Sequence, residues 1–233
     1  MELNNSDTKN QNSLGMSLIR TITDSDIRDS AIDGLEVGID QLFSANGIQD
    51  ELLKEIPVLK TFYAIAKSGI MIRDHLFLRK LHLFLLDFKD IDDKTKNKLE
   101  QAKSDKKYQQ EVGEHLVNSL ERFDQLVKAS SLFKIFIARI REEINHQEFL
   151  RYLYVLDKID IHNINLLQEF YSIGRERFYS LNPIRIINPE LNNFAFVGLL
   201  TLVTGAGLTT FDTNNFGEQF LQVLDLLPSR TRS

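Results

Sequence analysis

Five histidines, His75, His82, His115, His146 and His162, are the natural candidates for metal binding or proton transfer. His75 and His82 stand seven residues apart and share a helix face. A helical zinc pair instead takes i, i+4 spacing with a glutamate between, and no such motif occurs. These histidines read as helix-surface or interface residues. Asp87, Asp90, Asp92 and Asp93 gather near His82. They lack the glycine and the closing glutamate of a calcium loop, and Asp92 reads as a helix cap. The chain has no cysteine, which removes thiolate metal sites, disulfides and cysteine nucleophiles. No Gly-x-Ser-x-Gly elbow is present. Gly205-Ala206-Gly207 is followed by no basic residue, so it is a turn and not a phosphate loop. Glu142 and Glu143 would diverge on adjacent helical positions. No nucleophile, base and orienting group assemble. The expectation is a protein that is not an enzyme and carries no metal and no cofactor.

Recognition chemistry is better represented than catalysis. Arg139, Arg141, Arg151, Arg175 and Arg177 are the densest arginine set. The run Arg175-Glu176-Arg177-Phe178-Tyr179 places guanidinium groups beside aromatic rings, a pairing suited to an anionic partner. The same run also fits a charged helix end, where cations are favourable. Together with Phe62, Tyr63, Phe77 and Phe84 of the apolar helices, Arg175, Arg177, Phe178 and Tyr179 form the candidate interaction surface.

These residues need elements to hold them. The 233 residues carry a net charge of −5, with 42% hydrophobic and 26% charged side chains. A chain of this length buries a real core. Four prolines and eleven glycines exclude a collagen-like chain and argue against a disordered one. Mild acidity disfavours nucleic acid as a partner. Met1 to Ser13 is polar and reads as a disordered tail; it lacks the basic and apolar regions of a signal peptide, so the expected location is cytoplasmic.

Apolar residues recur at helical spacing along most of the chain. Ile27, Ala31, Leu35, Ile39 and Leu42 mark a helix within Asp24–Ala45, with Thr23 and Asp26 as a capping box and Asn46-Gly47 as its end. A short helix follows over Gln49–Glu55. Pro57 opens the apolar region that continues to Phe88, with a bend at Ser68-Gly69. Charged residues interrupt it, so neither half reaches a membrane span. Asp92–Lys107 holds six lysines against four acids and reads as a solvated short helix and loop. Helices are expected over Tyr108–Ala129, Leu132–Ile140, a segment capped by Asn145 and Glu148, and Ile161–Tyr179. Phe149, Leu150, Leu153, Tyr154 and Leu156 should face inward on the third of these. Pro183 and Pro189 bracket a loop or short strand over Ile184–Ile187.

The end of the chain reads differently. Leu199–Val203 and Leu208–Phe211 flank a Gly-containing turn, the pattern of a hairpin. A helix follows from Thr213. Leu191–Phe211 has no charged residue, yet its asparagines, threonines and glycines favour a buried helix and hairpin over a membrane segment. The Gly198-Leu199 exit, the two strands and Thr213-Asn214-Asn215-Phe216-Gly217 resemble the end of a winged-helix module, over roughly residues 150 to 227. Such a module usually implies DNA. From Ile186 to Leu227, however, there is no lysine or arginine. Phosphate contacts carry much of DNA affinity, so a structural or protein-binding module is the expectation.

The whole layout resembles a set of bacterial helical proteins, distantly the abortive-infection alpha type of phage-defence protein. The residues that carry the likeness are Ile56-Pro57-Val58-Leu59-Lys60, Ile72-Arg73-Asp74-His75-Leu76-Phe77, the Phe133–Ile140 helix and the Asn145–Phe149 turn. The resemblance implies a bacterial, phage-defence role. The expected fold is mainly α, a multi-helix bundle with a C-terminal winged-helix-like module carrying one β-hairpin. Its expected divisions are a tail over 1–13, a bundle over 14–145, the module over 146–228 and a tail over 229–233. The expected function is a non-catalytic interaction or effector protein, working through a protein partner or self-assembly, with conditional membrane contact. The alternative is a DNA-associated winged-helix regulator using Lys94–Lys107 or Arg175 and Arg177.

Overall fold

The computed structural model of the chain describes residues 5–42, 55–65, 72–181, 189–205 and 208–227. The bend at Ser68-Gly69, the Asn46-Gly47 stop, nearly all of the Gln49–Glu55 helix, the Ile184–Ile187 segment, most of the wing turn and the C-terminal tail lie outside them. The described residues are mainly helical, with one two-stranded antiparallel hairpin near the C-terminus. The chain divides into two compact units, Met1–Glu143 and Ile144–Ser233.

In the N-terminal unit, α1 (Asn5–Thr23) begins inside the stretch that reads as a disordered tail. The correction has a tertiary cause. Leu18, Ile19 and Ile22 are fully or almost fully buried, and α1 packs against α6 (Lys106–Arg122) and α3 (Pro57–Ile65). The crossing with α6 is glycine on glycine: a Cβ at Gly113 would lie 2.3 Å from the Gly15 carbonyl oxygen. Polar composition hides this helix, because its stability comes from packing and not from propensity.

Helix α2 (Ser25–Leu42) is capped by Asp24, whose carboxylate accepts the Ile27 N–H at 3.3 Å. Thr23 is not the cap. Its hydroxyl donates back to the Ile19 carbonyl at 2.9 Å and belongs to α1. Pro57 starts α3 as its first residue, where a missing N–H costs nothing. Helix α4 (Ile72–Leu86) runs into a 3-10 turn over Asp87–Asp90. Phe84, Phe88, Phe133 and Phe136 join α4, this turn and α7 (Lys128–Ile140) in one aromatic cluster, with Phe88 and Phe133 centroids 4.8 Å apart.

The expected helix over Tyr108–Ala129 is two helices. α6 stops at Phe123, whose backbone is extended (φ −60°, ψ 128°). The buried Lys80 ammonium donates to the Phe123 carbonyl at 2.8 Å and the Glu121 carbonyl at 3.2 Å. It thereby satisfies acceptors that a helix end leaves orphaned. Burial holds the Lys80 pKa below its ordinary value, partly offset by Glu121 and Asp124. Lys128 then opens α7, its buried ammonium 2.8 Å from Asp124.

Helix α5 (Asp93–Ala102) is capped by Asp92, as the sequence indicates. The Asp92 carboxylate accepts the Thr95 N–H at 2.9 Å and the Thr95 hydroxyl at 2.9 Å, and pairs with Arg141 just beyond α7. Thr95 first and Arg141 after it hold the Asp92 carboxyl at about 2. A folded-state pKa below the ordinary 3.8 gives stabilisation that is complete above about pH 4 and lost as pH falls towards 2. Asp92→Asn keeps a capping oxygen but removes the charge. The gap in melting temperature between wild type and this variant is therefore expected to be largest at neutral pH and to close between about pH 4 and 2. Circular dichroism melts across that range check it; a gap independent of pH would refute the charge assignment.

In the C-terminal unit, α8 (His146–Lys158) opens with the capping box read from sequence: Asn145 accepts the Glu148 N–H at 3.0 Å, and Glu148 accepts the Asn145 N–H at 2.7 Å. Phe149, Leu153 and Leu156 are buried. Leu150 is half-buried and Tyr154 is 50% exposed. Tyr152 takes the inward place instead, against Phe216 and Phe220. The expected Ile161–Tyr179 helix is divided into a 3-10 turn (Ile161–Asn163), α9 (Ile164–Ile173) and α10 (Arg175–Leu181). Gly174 between the last two has φ +78°, a region costly for side-chain-bearing residues.

Helix α11 (Pro189–Phe196) ends at Gly198 (φ +85°), and the chain enters β1 (Thr201–Gly205). β1 pairs antiparallel with β2 (Leu208–Asp212), Leu202 opposite Phe211. The final helix, α12 (Asn215–Val223), is capped by Asn214, which accepts the Gly217 N–H at 2.8 Å. Thr213, from which the sequence starts this helix, lies before it and donates its N–H to Asp212 at 2.8 Å.

Candidate interaction surface

The eight residues expected to form a surface do not form one. Phe62, Phe77 and Phe84 are buried in the N-terminal unit, and Phe178 is fully buried in the C-terminal unit. Phe62 and Phe77 stack nearly parallel with centroids 5.4 Å apart, which makes them core. Tyr63 packs edge-on to Phe62. Its hydroxyl is buried without a hydrogen-bond partner among the described residues, and burial pushes its pKa up to about 12. Phe178 is held by Phe170 at 4.8 Å. Helical periodicity marks such rings as apolar, and it cannot separate a ring facing a partner from one facing a neighbouring helix.

Arg175 and Tyr179 serve a different purpose: they bind the hairpin to α10. Arg175 donates to the Thr210 hydroxyl at 3.0 Å and lies 3.5 Å from the Asp212 carboxylate. The Tyr179 hydroxyl accepts the Phe211 N–H at 2.9 Å. Burial raises the Tyr179 pKa, partly offset by that hydrogen bond and by Arg175. Arg177 is exposed on the same helix. Of the eight, Arg177 alone stands on the surface without a structural duty among the described contacts.

Three further groups position the hairpin. The Tyr171 hydroxyl donates to the Leu199 carbonyl at 2.6 Å and accepts the Asn214 N–H at 3.1 Å. Asn214 donates to the Gly198 carbonyl at 3.1 Å. Gly217 lies so close beneath that an added Cβ would sit 2.2 Å from the Leu199 oxygen. β2 is bonded to α10 through Arg175 and Tyr179. The exposed apolar side chains of the unit include Phe196 at 80% exposure on the end of α11, Leu181 at 63% on the end of α10 and Leu202 at 53% on β1. Arg151 of α8 stacks on Phe216 of α12, its guanidinium carbon 3.6 Å from the ring centroid. Sequence reasoning did not single out Phe196, Leu202 or the Arg151–Phe216 pair. The arginine and its ring are distant along the chain, and no local pattern joins them.

Among the described residues no cluster of three histidines or acids could hold a metal, and no helix is long and apolar enough to cross a membrane. The uncharged stretch Leu191–Phe211 divides into α11 and the two strands. His82 is half-buried on α4; burial lowers its pKa, while Glu36 partly offsets this. No family model, curated protein or solved structure matches the chain.

Proposed function

We propose that the protein works by binding and not by catalysis, as an interaction or effector protein whose C-terminal unit is a winged-helix-like module that docks on protein. One observation carries this reading. The unit exposes Phe196 and Leu202 in a segment, Ile186 to Leu227, that contains no lysine or arginine. Exposed apolar side chains on a surface lacking cations suit a protein partner and give DNA phosphates no counter-charge.

Several of the cations named for the DNA-regulator alternative have other commitments, although Lys106 and Arg177 have no ion pair among the described residues. Arg175 is engaged by Thr210 and Asp212. Lys96, Lys98 and Lys103 lie within ion-pair distance of Asp93, Glu142 and Asp24. A bacterial phage-defence role follows from the resemblance in layout described above, and cytoplasmic location goes with it. Expression in bacteria under phage challenge tests the reading. Wild type is expected to lower plaque formation, and Phe196→Ser with Leu202→Ser is expected to restore it while the protein still accumulates. Unchanged plating by wild type would sink the defence role. Duplex DNA binding that falls steeply with salt would favour the regulator instead.

A further inference from the structure

The N-terminal unit contains a cleft of about 800 Å3 that no reading of the C-terminal unit uses. It lies among α1, α3, the turn after α5 and the first turn of α6. Four cations line it: Arg20, Lys60, Lys103 and Lys106. Two acids, Asp24 and Glu55, share the lining, which leaves two uncompensated positive charges in a chain whose net charge is −5. Lys103 is held by Asp24 at 3.3 Å. Arg20, Lys60 and Lys106 are exposed, and none of them has an ion pair among the described residues.

Like charges drawn round one concave site repel each other, and an anion relieves that repulsion. Other features match. The Ser17 and Thr61 hydroxyls bridge α1 and α3 at 2.7 Å within the lining. The start of the 17-residue α6 contributes Lys106 and Gln109, so the positive end of its dipole adds to the same field. The volume falls within the ~300–1,000 Å3 range typical of small-molecule sites. The lining holds no aromatic ring. It therefore offers no stacking platform for a nucleobase, and its recognition is addressed to charge.

We propose that this cleft binds a soluble small molecule bearing several phosphate groups, with Arg20 and Lys60 as principal contacts and Lys106 as a third. Arginine supplies forked donors to phosphate oxygens, and lysine supplies a point charge.

Calorimetric titration of the full chain with inorganic tripolyphosphate tests it, at low salt and again at about 0.3 M. Single-site binding that weakens with salt is expected. Arg20→Gln combined with Lys60→Gln should weaken it by about tenfold or more. Both side chains are exposed, so the variant is expected to fold, and an unchanged melting temperature without ligand checks this. Lys94→Gln, on α5 outside the lining, should bind as wild type does. Tripolyphosphate should raise the melting temperature of wild type and not of the double variant. Absence of binding at low salt overturns the proposal. So does equal binding by the double variant, or equal loss in Lys94→Gln, either of which would mean diffuse surface attraction. Flotation with phosphatidylglycerol vesicles distinguishes the phosphate source: vesicle binding without tripolyphosphate binding would overturn a soluble ligand.

Discussion

Replacing Gly113 by alanine is expected to destabilise the N-terminal unit by about 2 kcal/mol, although alanine is the better helix former. Two terms compete. Alanine gains up to ~1 kcal/mol over glycine in a helix interior. Against this, the new Cβ would lie 2.3 Å from the Gly15 oxygen and 2.5 Å from its carbonyl carbon. The obstacle is the backbone of α1, which no rotamer change can move. Overpacking of this kind costs about 1–3 kcal/mol, and the upper end applies where backbone meets backbone. Gly15→Ala meets the α6 backbone at 2.6 Å and should behave the same way. Amide hydrogen exchange is the suitable measurement, because it reports opening of α1 and α6 separately from the rest of the chain. Unchanged protection in α1 would mean that the two helices do not cross as closely as described.

Gly217→Ala is expected to cost about 2–3 kcal/mol in the C-terminal unit. Its Cβ would sit 2.1 Å from the Tyr171 hydroxyl and 2.2 Å from the Leu199 carbonyl oxygen. The tyrosine is pinned by its bonds to Leu199 and Asn214, so it has no easy retreat. Tyr171→Phe alone should cost about 1–3 kcal/mol, because it leaves the Leu199 carbonyl and the Asn214 N–H without that partner. The two changes share an obstacle, so the double variant should lose less than the sum of the singles. Denaturant titration by circular dichroism measures all three. Simple additivity would show that Gly217 and Tyr171 do not touch. Burial also raises the Tyr171 pKa to about 12, so the hydroxyl stays protonated and able to donate across ordinary pH.

The parts legible in the sequence share a short range. Asn145 and Glu148 interact across three residues, as do Asp92 and Thr95, and both were readable as caps. Pro57 announced its helix through its own geometry. The hairpin was legible from two apolar and β-branched runs around glycines, and Gly198 from the need for a sharp exit. The candidate surface was mostly illegible. Phe84 and Phe178 carry the same apolar signal as Phe196, yet the first two are fully buried and the third is 80% exposed. Exposure depends on what stands opposite, and a sequence window does not contain that.

The sequence by itself determined a mainly helical chain with a hairpin near its C-terminus, the caps at Asp92 and Asn145, and the absence of cations from Ile186 to Leu227. Tertiary structure alone decided the rest. It turned a polar N-terminal stretch into α1 by offering it the Gly113 groove. It divided the apparent Tyr108–Ala129 helix by supplying Lys80 from another helix to its end. It also drew Arg20, Lys60, Lys103 and Lys106 round one cleft. The physical reason is the same in each case. Hydrogen-bonded caps and turns close within a few residues, whereas steric fit and electrostatic fields depend on distance in space.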